Sequence, residues 1–372
     1  MRSIVMKKVD RMLELLWFVM YSGEFPRELA YRLPGNAGWN RHTMALAIEE
    51  GYVEMTRANT RRYRVRSVHI TDAGIAYIAE RAPERMPLLL SRQSEVELYH
   101  ISTEKILRAN AIAIGLVMAA NAGAIILPKE KPSLLNRPLG TTKPISSDEA
   151  YYYSVRELRN AIEDYDSEIA SKTSRMLGVI VRGRDCFFLY YTGSSRIYWR
   201  RNEEENSVAM VEALLMARGF PCDNKRQVII GNNMHVAQKI FKQGLNNQSR
   251  YLSVSDYFSH CHYLTNDKDG DELLRVMINE KLADEFESRV MIPAYREPDH
   301  QTRAYDAVTL DGRQAVILNY QFDLLALLRF NSVPEGFKEN PIILCLDYQA
   351  DTIQGMASVQ VEVRAIPERL FQ

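Results

Sequence analysis

The hydrophobic pattern of the first 85 residues predicts six short elements. Within residues 9–22, apolar side chains recur three and four positions apart, as on one face of a helix. Pro26 is typical of a first helical turn, and Gly51 is typical of the position just after a helix. The predicted elements are three helices, two strands and a last helix: Val9–Ser22, Pro26–Leu33, Asn40–Glu50, Tyr52–Arg57, Tyr63–Ile70 and Ala73–Arg81.

The pattern changes twice along the rest of the chain. Val96–Ala122 has the character of a long helix, and the proline-rich segment Lys129–Ser147 predicts a loop that could contact a partner. Beyond Met176, strand-like and helix-like runs alternate, with a short apolar strand at Gln227–Ile230. Two hairpins are predicted, Met176–Val181 with Cys186–Tyr191 and Ala307–Leu310 with Ala315–Tyr320. We therefore expect a mixed α+β protein in three parts. These are a domain over residues 1–85, a helical connector with the loop over 86–150, and an α/β domain over 151–372.

Arginines cluster around the predicted turn between the first two strands, with no acidic residue among them. They are Arg57, Arg61, Arg62, Arg64 and Arg66. Over residues 1–85, 14 Lys and Arg face 10 Asp and Glu, so this part carries +4 while the whole chain carries zero. A short basic hairpin can lie along a phosphate backbone or enter a minor groove, with release of counterions. A merely solvated strand face is the alternative, and the element order favours binding to DNA.

The start of the predicted third helix offers polar side chains that can contact bases. Asparagine can recognise adenine and arginine can recognise guanine, each through paired hydrogen bonds in the major groove. The predicted DNA-binding residues are this helix start and the basic turn: Asn40, Arg41, His42, Thr43, Arg57, Arg61, Arg62, Arg64 and Arg66.

Two local motifs resemble known families. Ile70-Thr71-Asp72-Ala73-Gly74 resembles the strand-to-helix exit of many winged-helix domains. With the element order, Leu98-Tyr99-His100 and the following apolar helix with Asn110 and Gly115 are similar to the replication-relaxation family of mobile elements. The resemblance implies an N-terminal winged helix-turn-helix and a part in plasmid replication, relaxation or conjugation. It makes His100 a site candidate, and a half-buried structural histidine is the alternative.

The second half shows no complete catalytic or metal-binding set. Restriction-type nucleases hold Mg²⁺ with an aspartate on one strand and an acid-x-lysine on the next. Asp306 begins one strand of a predicted hairpin, but Asn319-Tyr320-Gln321 stands where acid-x-lysine would fall, so a restriction-endonuclease-like core would be degenerate. His260 and His262 would share one strand face without a visible third ligand. No catalytic residue, metal or cofactor is therefore predicted.

These observations together predict a DNA-binding protein that is not an enzyme. We expect an accessory or regulatory factor in the replication, conjugation or transcription of a plasmid or other mobile element. Expected partners are double-stranded DNA, a relaxase or replication initiator, and a second copy of the chain. Ala111–Leu127 is shorter than the ~20 residues that a bilayer demands, so a cytoplasmic protein without membrane contact is expected. A metal-dependent nuclease and a winged-helix protein-interaction module remain alternatives.

Overall fold

The chain folds into two compact units that both contain helices and strands. A computed structural model describes residues 10–59, 64–83, 102–136, 143–165, 174–195, 197–245, 249–291, 294–298, 305–331, 337, 339–358 and 360–366. The first unit comprises residues 1–121 with 137–142, and the second comprises 122–136 with 143–372. The predicted mixed α+β class is confirmed. Within the described ranges, no helix combines the length and the apolar character needed to cross a bilayer.

The first unit places helices around a three-stranded antiparallel sheet. Its described helices are α1 Arg11–Ser22, a 3-10 helix Arg27–Arg32, α2 Ala37–Glu49, α3 Asp72–Arg81 and α4 Thr103–Asn121. Its strands are β1 Phe25–Pro26, β2 Val53–Asn59 and β3 Arg64–Ile70, in the order β1–β3–β2. The six predicted elements appear in the predicted order, the second of them as a 3-10 helix.

Helix α2 begins earlier than its apolar pattern predicts. The side-chain Oδ1 of Asn36 accepts hydrogen bonds from the backbone N–H groups of Gly38 at 2.9 Å and Trp39 at 3.2 Å. These bonds satisfy donors that the first helical turn leaves unpaired, so the helix starts at Ala37. The prediction that Asn40 begins this helix is wrong because Asn36 is its cap.

The passage from β3 into α3 requires glycine at position 74. Thr71 Oγ1 accepts a hydrogen bond from the Gly74 N–H at 3.2 Å and caps α3. A Cβ atom at position 74 would stand 2.3 Å from the carbonyl oxygen of Tyr52, closer than carbon and oxygen can approach. In the predicted strand-to-helix motif, threonine is therefore needed to cap α3, and glycine is needed because the Tyr52 backbone leaves no room for a side chain.

Helix α4 packs against the rest of the first unit. It contacts α1, β1, β2 and the 3-10 helix. The buried hydroxyl of Ser67 on β3 donates to Asn110 Oδ1 at 2.6 Å, and Asn121 Nδ2 donates to the carbonyl of Arg32 at 2.8 Å. The predicted boundaries at residues 85 and 150 differ from this division, because α4 joins the first unit and the second unit begins at Ala122.

In its described residues, the second unit contains two five-stranded sheets with helices between their strands. The first sheet consists of β4 Ala150–Ser154, β5 Met176–Arg182, β6 Asp185–Gly193, β7 Asn224–Gly231 and β8 His260–Thr265. The second sheet consists of β9 Tyr295–Arg296, β10 Ala307–Thr309, β11 Ala315–Leu318, β12 Ile342–Leu346 and β13 Glu362–Ile366. The helices are α5 Val155–Tyr165, α6 Arg201–Ala217, α7 Met234–Phe241, α8 Lys268–Met277, α9 Glu280–Met291, α10 Leu324–Phe330, a 3-10 helix Asp347–Gln349 and α11 Ala350–Gln354.

These two sheets share one strand topology. In each, the first three strands pair antiparallel and the last two continue in parallel. Helices α6 and α7 make the parallel crossovers of the first sheet, and α10 and α11 make those of the second. Both predicted hairpins are confirmed, with glycines at positive φ in their turns, Gly183 at 53° and Gly312 at 71°.

The central strands of the first sheet are buried on both faces. Residues 186–190 of β6 and 227–231 of β7 are buried without alternation. Strands covered by helices on both faces need continuous apolar runs, because neither row of side chains meets water. Such runs in 176–191 and 227–230 predicted strands here, and the structure confirms them.

Candidate nucleic-acid interface

The exposed face of α2 begins in the first turn of the helix. Trp39 is 61% exposed, and Arg41 and His42 are exposed next to it. The Arg41 guanidinium lies 4.8 Å from the centre of the Tyr31 ring, a cation–π contact with the preceding 3-10 helix. On the opposite side of α2, Met44 is 1% exposed and belongs to the core. One side of the helix is therefore packed into the core, and the other side exposes aromatic and cationic side chains.

Asn40 does not belong to this exposed face. It is 6% exposed, its Nδ2 donates to the carbonyl of Leu33 at 2.7 Å, and its Oδ1 accepts from Arg11 Nη1 at 3.4 Å. Contact with a base would leave these buried polar groups unpaired, which is costly. The predicted base contact of Asn40 is contradicted, and the side chain instead fastens α2 to the preceding turn. Thr43 is half-buried, and its hydroxyl donates to the Trp39 carbonyl at 2.9 Å.

Arg57 and Arg66 face each other across the hairpin β2–β3. The two residues are register partners, and both are exposed. Like charges directly opposite each other destabilise a sheet. Among the described residues, no carboxylate forms an ion pair with either guanidinium. An anion from outside the chain would therefore relieve the repulsion between them.

The arginine pair and α4 belong to opposite faces of the sheet. Side chains alternate along a strand, so Arg57 shares a face with the buried Val53, and Arg66 shares it with Val68. Ser67 points to the other face, where it bonds to α4. Helix α2 contacts β2 in the same unit. The cationic pair therefore stands on the sheet face that does not bond to α4.

Other predicted contacts fall partly outside the described structure. Arg61 and Arg62 lie outside the described residues, and for Arg64 only the backbone is described, paired with Asn59. Leu98-Tyr99-His100 also lies outside the described residues. The roles proposed for these residues remain predictions from the sequence.

A buried carboxylate lies beside the sheet of the first unit, on the residue just before β1. Glu24 is 3% exposed, and its Oε1 accepts a hydrogen bond from Thr56 Oγ1 at 2.9 Å. Its Oε2 has no hydrogen-bond partner among the described residues. Burial raises the pKa of Glu24, against the lowering effects of the Thr56 hydrogen bond, the nearby His69 charge and the Ser67 hydrogen bond. This cluster belongs to the polar interior of the unit and not to its exposed arginine face.

The second unit places amides where a nuclease would need an acid and a lysine. The carboxylate of Asp306 accepts a hydrogen bond from the Leu318 N–H at 2.8 Å, at the end of β11. Just beyond, Asn319 Oδ1 accepts from the Asp323 N–H at 2.7 Å, and Gln321 carries a second amide. Amides supply neither the negative charge that holds Mg²⁺ nor the lysine ammonium.

Lys131 is one of the residues that anchor the described part of the loop over 129–147 in the second unit. Lys131 is 3% exposed, pairs with Glu157 Oε1 at 2.9 Å and donates to the carbonyl of Tyr152. The prediction of a loop is confirmed for its described residues, 129–136 and 143–147. Because the Lys131 side chain is buried and paired with Glu157, it is not available to a partner.

Comparisons with known proteins give no relative from which a function could be transferred. No protein-family model, curated protein or solved structure matches this chain. The resemblance to replication-relaxation proteins therefore remains a prediction from the residues quoted above.

Proposed function

We propose that the first unit is a winged helix-turn-helix domain that binds double-stranded DNA. The order α1, β1, 3-10 helix, α2, β2, β3 supports this fold, with the hairpin β2–β3 as the wing. In such domains the second helix of the helix-turn-helix enters the major groove, and its N-terminal residues contact base edges. Helix α2 takes that position here. Its exposed first turns supply Trp39, Arg41 and His42 for the groove.

The two wing arginines, which form no ion pair with a carboxylate in the described part of the chain, are the observation that carries the proposal. Arg57 and Arg66 are exposed and opposite each other, on the sheet face that does not bond to α4. Phosphates of a DNA backbone are the anions that fit such a pair, because each neutralised phosphate also releases a condensed counterion. Arg61, Arg62 and Arg64 would extend the same basic hairpin. The wing therefore contributes affinity, and α2 contributes base contacts.

The biological setting is proposed from the resemblance to replication-relaxation proteins. In that setting, the protein is an accessory or regulatory factor of a plasmid or other mobile element, acting at origin or promoter DNA. The second unit would then recruit a relaxase or an initiator, or join two copies of the chain. Its two sheets, with amides in place of an acid and a lysine near Asp306, support a degenerate restriction-endonuclease-like core.

Salt-dependent binding to a duplex tests the DNA proposal directly. Fluorescence anisotropy with a labelled duplex gives affinity over a series of salt concentrations, for the wild type and for the double variant Arg57→Ala/Arg66→Ala. Removing two phosphate contacts should lower the slope of log affinity against log salt by about 2. Lys105→Ala is the matched control, because this exposed cation lies on α4 and not on the wing. Its slope should equal that of the wild type.

Two outcomes would overturn this proposal. An unchanged slope in the double variant, with its fold intact by circular dichroism, would remove the wing from the interface. Absence of any duplex binding by the wild type at low salt would leave the protein-interaction module as the better explanation of the exposed Trp39.

A further inference from the structure

A cluster of two histidines and an aspartate forms at one edge of the first sheet in the second unit. The segment after β11 runs along the edge strand β8, where the Tyr263 N–H donates to the Phe322 carbonyl at 3.1 Å. His262 and Asp323 form a β-bridge in the same place. Among the described residues, His260, His262 and Asp323 each offer one ligand atom, and these three atoms lie within 4.8 Å of one another.

His262 carries a buried ring nitrogen that no described residue bonds to. It is 1% exposed, and its Nδ1 lies 3.1 Å from the carbonyl oxygen of Gln321. A carbonyl only accepts, so Nδ1 holds the hydrogen and Nε2 is left as an acceptor. Within the described structure, Nε2 is buried without a hydrogen-bond partner. Such an atom is costly to bury, and a bound cation would satisfy it.

The Gln321 carbonyl fixes the His262 ring so that its other nitrogen, Nε2, is the one left for a ligand. Metal-bound histidines commonly donate their second nitrogen's hydrogen to a carbonyl or carboxylate, as His262 does here to Gln321.

His260 and Asp323 complete the three-residue cluster, and His260 connects it to solvent. His260 Nδ1 lies 2.7 Å from Asp323 Oδ2, and the side chain of His260 is 40% exposed. The two imidazole rings are near-parallel, with centroids 5.6 Å apart. The other carboxylate oxygen of Asp323, Oδ1, accepts a hydrogen bond from the Cys261 N–H at 3.0 Å. The partly exposed side chain of His260 therefore marks a route by which an ion can enter.

We propose that His260, His262 and Asp323 bind one divalent transition-metal ion of the zinc class. Imidazole nitrogens suit zinc and its neighbours, whereas Mg²⁺ prefers a shell of oxygens. Zinc bonds of about 2.0–2.2 Å place tetrahedral ligands roughly 3.3 Å apart. On binding, the 2.7 Å His260–Asp323 hydrogen bond would open, and ligand atoms that lie farther apart, up to 4.8 Å, would close inward. Three protein ligands leave a fourth position for water, as in zinc sites that remain open to a substrate. Arg226 is a nearby positive charge that would repel the bound cation. Its Nε donates a hydrogen bond to Asp185 Oδ1 at 3.2 Å, so this charge is partly balanced by a carboxylate.

Metal titration of the intact chain tests this site. The metal-free wild type should bind one Zn²⁺ per chain by isothermal titration calorimetry, and excess Mg²⁺ should not compete. Co²⁺ in its place should give the visible bands of a four- or five-coordinate ion. His260→Gln and Asp323→Asn should each lower the Zn²⁺ affinity at least roughly 10- to 100-fold. That is the loss seen when a residue that only supports a metal ligand is replaced, and a ligand itself should matter no less. Asparagine can still cap α10, which keeps the fold of the second variant.

The control separates this site from adventitious binding to surface histidines. His235→Gln alters an exposed histidine elsewhere in the second unit and should bind Zn²⁺ as the wild type does. Zn²⁺ should also raise the melting temperature of the wild type and of this control, but not of His260→Gln. Equal affinity in wild type and His260→Gln, or loss of affinity in His235→Gln alone, would overturn the proposal. So would a folded wild type that binds no Zn²⁺ at micromolar concentrations.

Discussion

At the scale of single residues, burial decides which polar side chains can reach a partner. Asn40 and Arg41 are neighbours in α2, and both residue types can recognise bases. Asn40 is buried and bonded to Leu33, whereas Arg41 is exposed. Only the exposed side chain can exchange water for a base without breaking internal bonds. The same criterion separates the buried Glu24 from the exposed arginines of the wing.

Replacing Asn40 should therefore affect stability more than recognition. Asn40→Ala leaves the Leu33 carbonyl without its buried donor, so we expect a loss of about 1–3 kcal/mol in the free energy of unfolding. His42→Ala changes an exposed neighbour in the same helix and should stay within about 0.5 kcal/mol of the wild type. Urea unfolding measures both variants. An Asn40→Ala protein that is as stable as the wild type but has lost DNA affinity would return Asn40 to the interface.

Glu24 should make the stability of the first unit depend on pH. Burial raises its pKa in the folded state above its unfolded value, so ionisation opposes folding. The stability associated with the neutral form is complete below the unfolded pKa and is lost as pH rises through the folded pKa. Glu24→Gln stays neutral, so it should exceed the wild type in stability at pH 7.5, by a margin that shrinks toward pH 4. Chemical unfolding across this range measures the margin. Glu28→Gln, at an exposed position nearby, is the control and should show no such trend.

At the scale of elements, α4 belongs to the first unit although it lies beyond the predicted end of that domain at residue 85. Its pattern predicted a connector, but its contacts with α1, β1 and β2 place it in the first unit. The Ser67–Asn110 hydrogen bond, 43 residues apart in sequence, is buried between the sheet and this helix. An apolar helix surface has to be covered by something, and a sequence pattern does not say by what.

Removing α4 should expose the sheet face that it covers. A fragment of residues 1–121 should therefore unfold cooperatively and remain monomeric, whereas a fragment of residues 1–85 should lose cooperativity or aggregate. Thermal unfolding followed by circular dichroism, with size-exclusion chromatography, distinguishes the two fragments. If the shorter fragment were as stable as the longer one, α4 would have no part in the core of the first unit.

At the scale of the whole molecule, charge is unevenly divided between the two units. Residues 1–121 hold 17 Lys and Arg against 13 Asp and Glu, a net +4, so the rest of the chain carries −4. A neutral chain as a whole gains little from general attraction to DNA. The proposed affinity must therefore come from the first unit, and the second unit adds a weak repulsion from phosphates.

Deleting the second unit should leave DNA binding intact. We expect the fragment of residues 1–121 to bind a duplex at least as tightly as the full chain, with the same salt slope, since the phosphate contacts are unchanged. Anisotropy titrations of both proteins on one duplex give the comparison. A fragment that binds much more weakly than the full chain would assign part of the interface to residues beyond 121, or would show that binding requires a dimer formed through the second unit.

The sequence by itself determined what depends on near neighbours: the six predicted elements over residues 10–83 (though not the two-residue strand β1), both hairpins of the second unit and the concentration of arginines at the wing. Periodicity, turn residues and local charge are set within a few positions of the chain, so the pattern contains them. Tertiary structure alone decided the burial of Asn40, the membership of α4 and the likeness of the two sheets in the second unit. It also brought Asp323 to His260, 63 residues earlier, because contacts across such separations arise when distant segments pack and leave no mark in the local pattern.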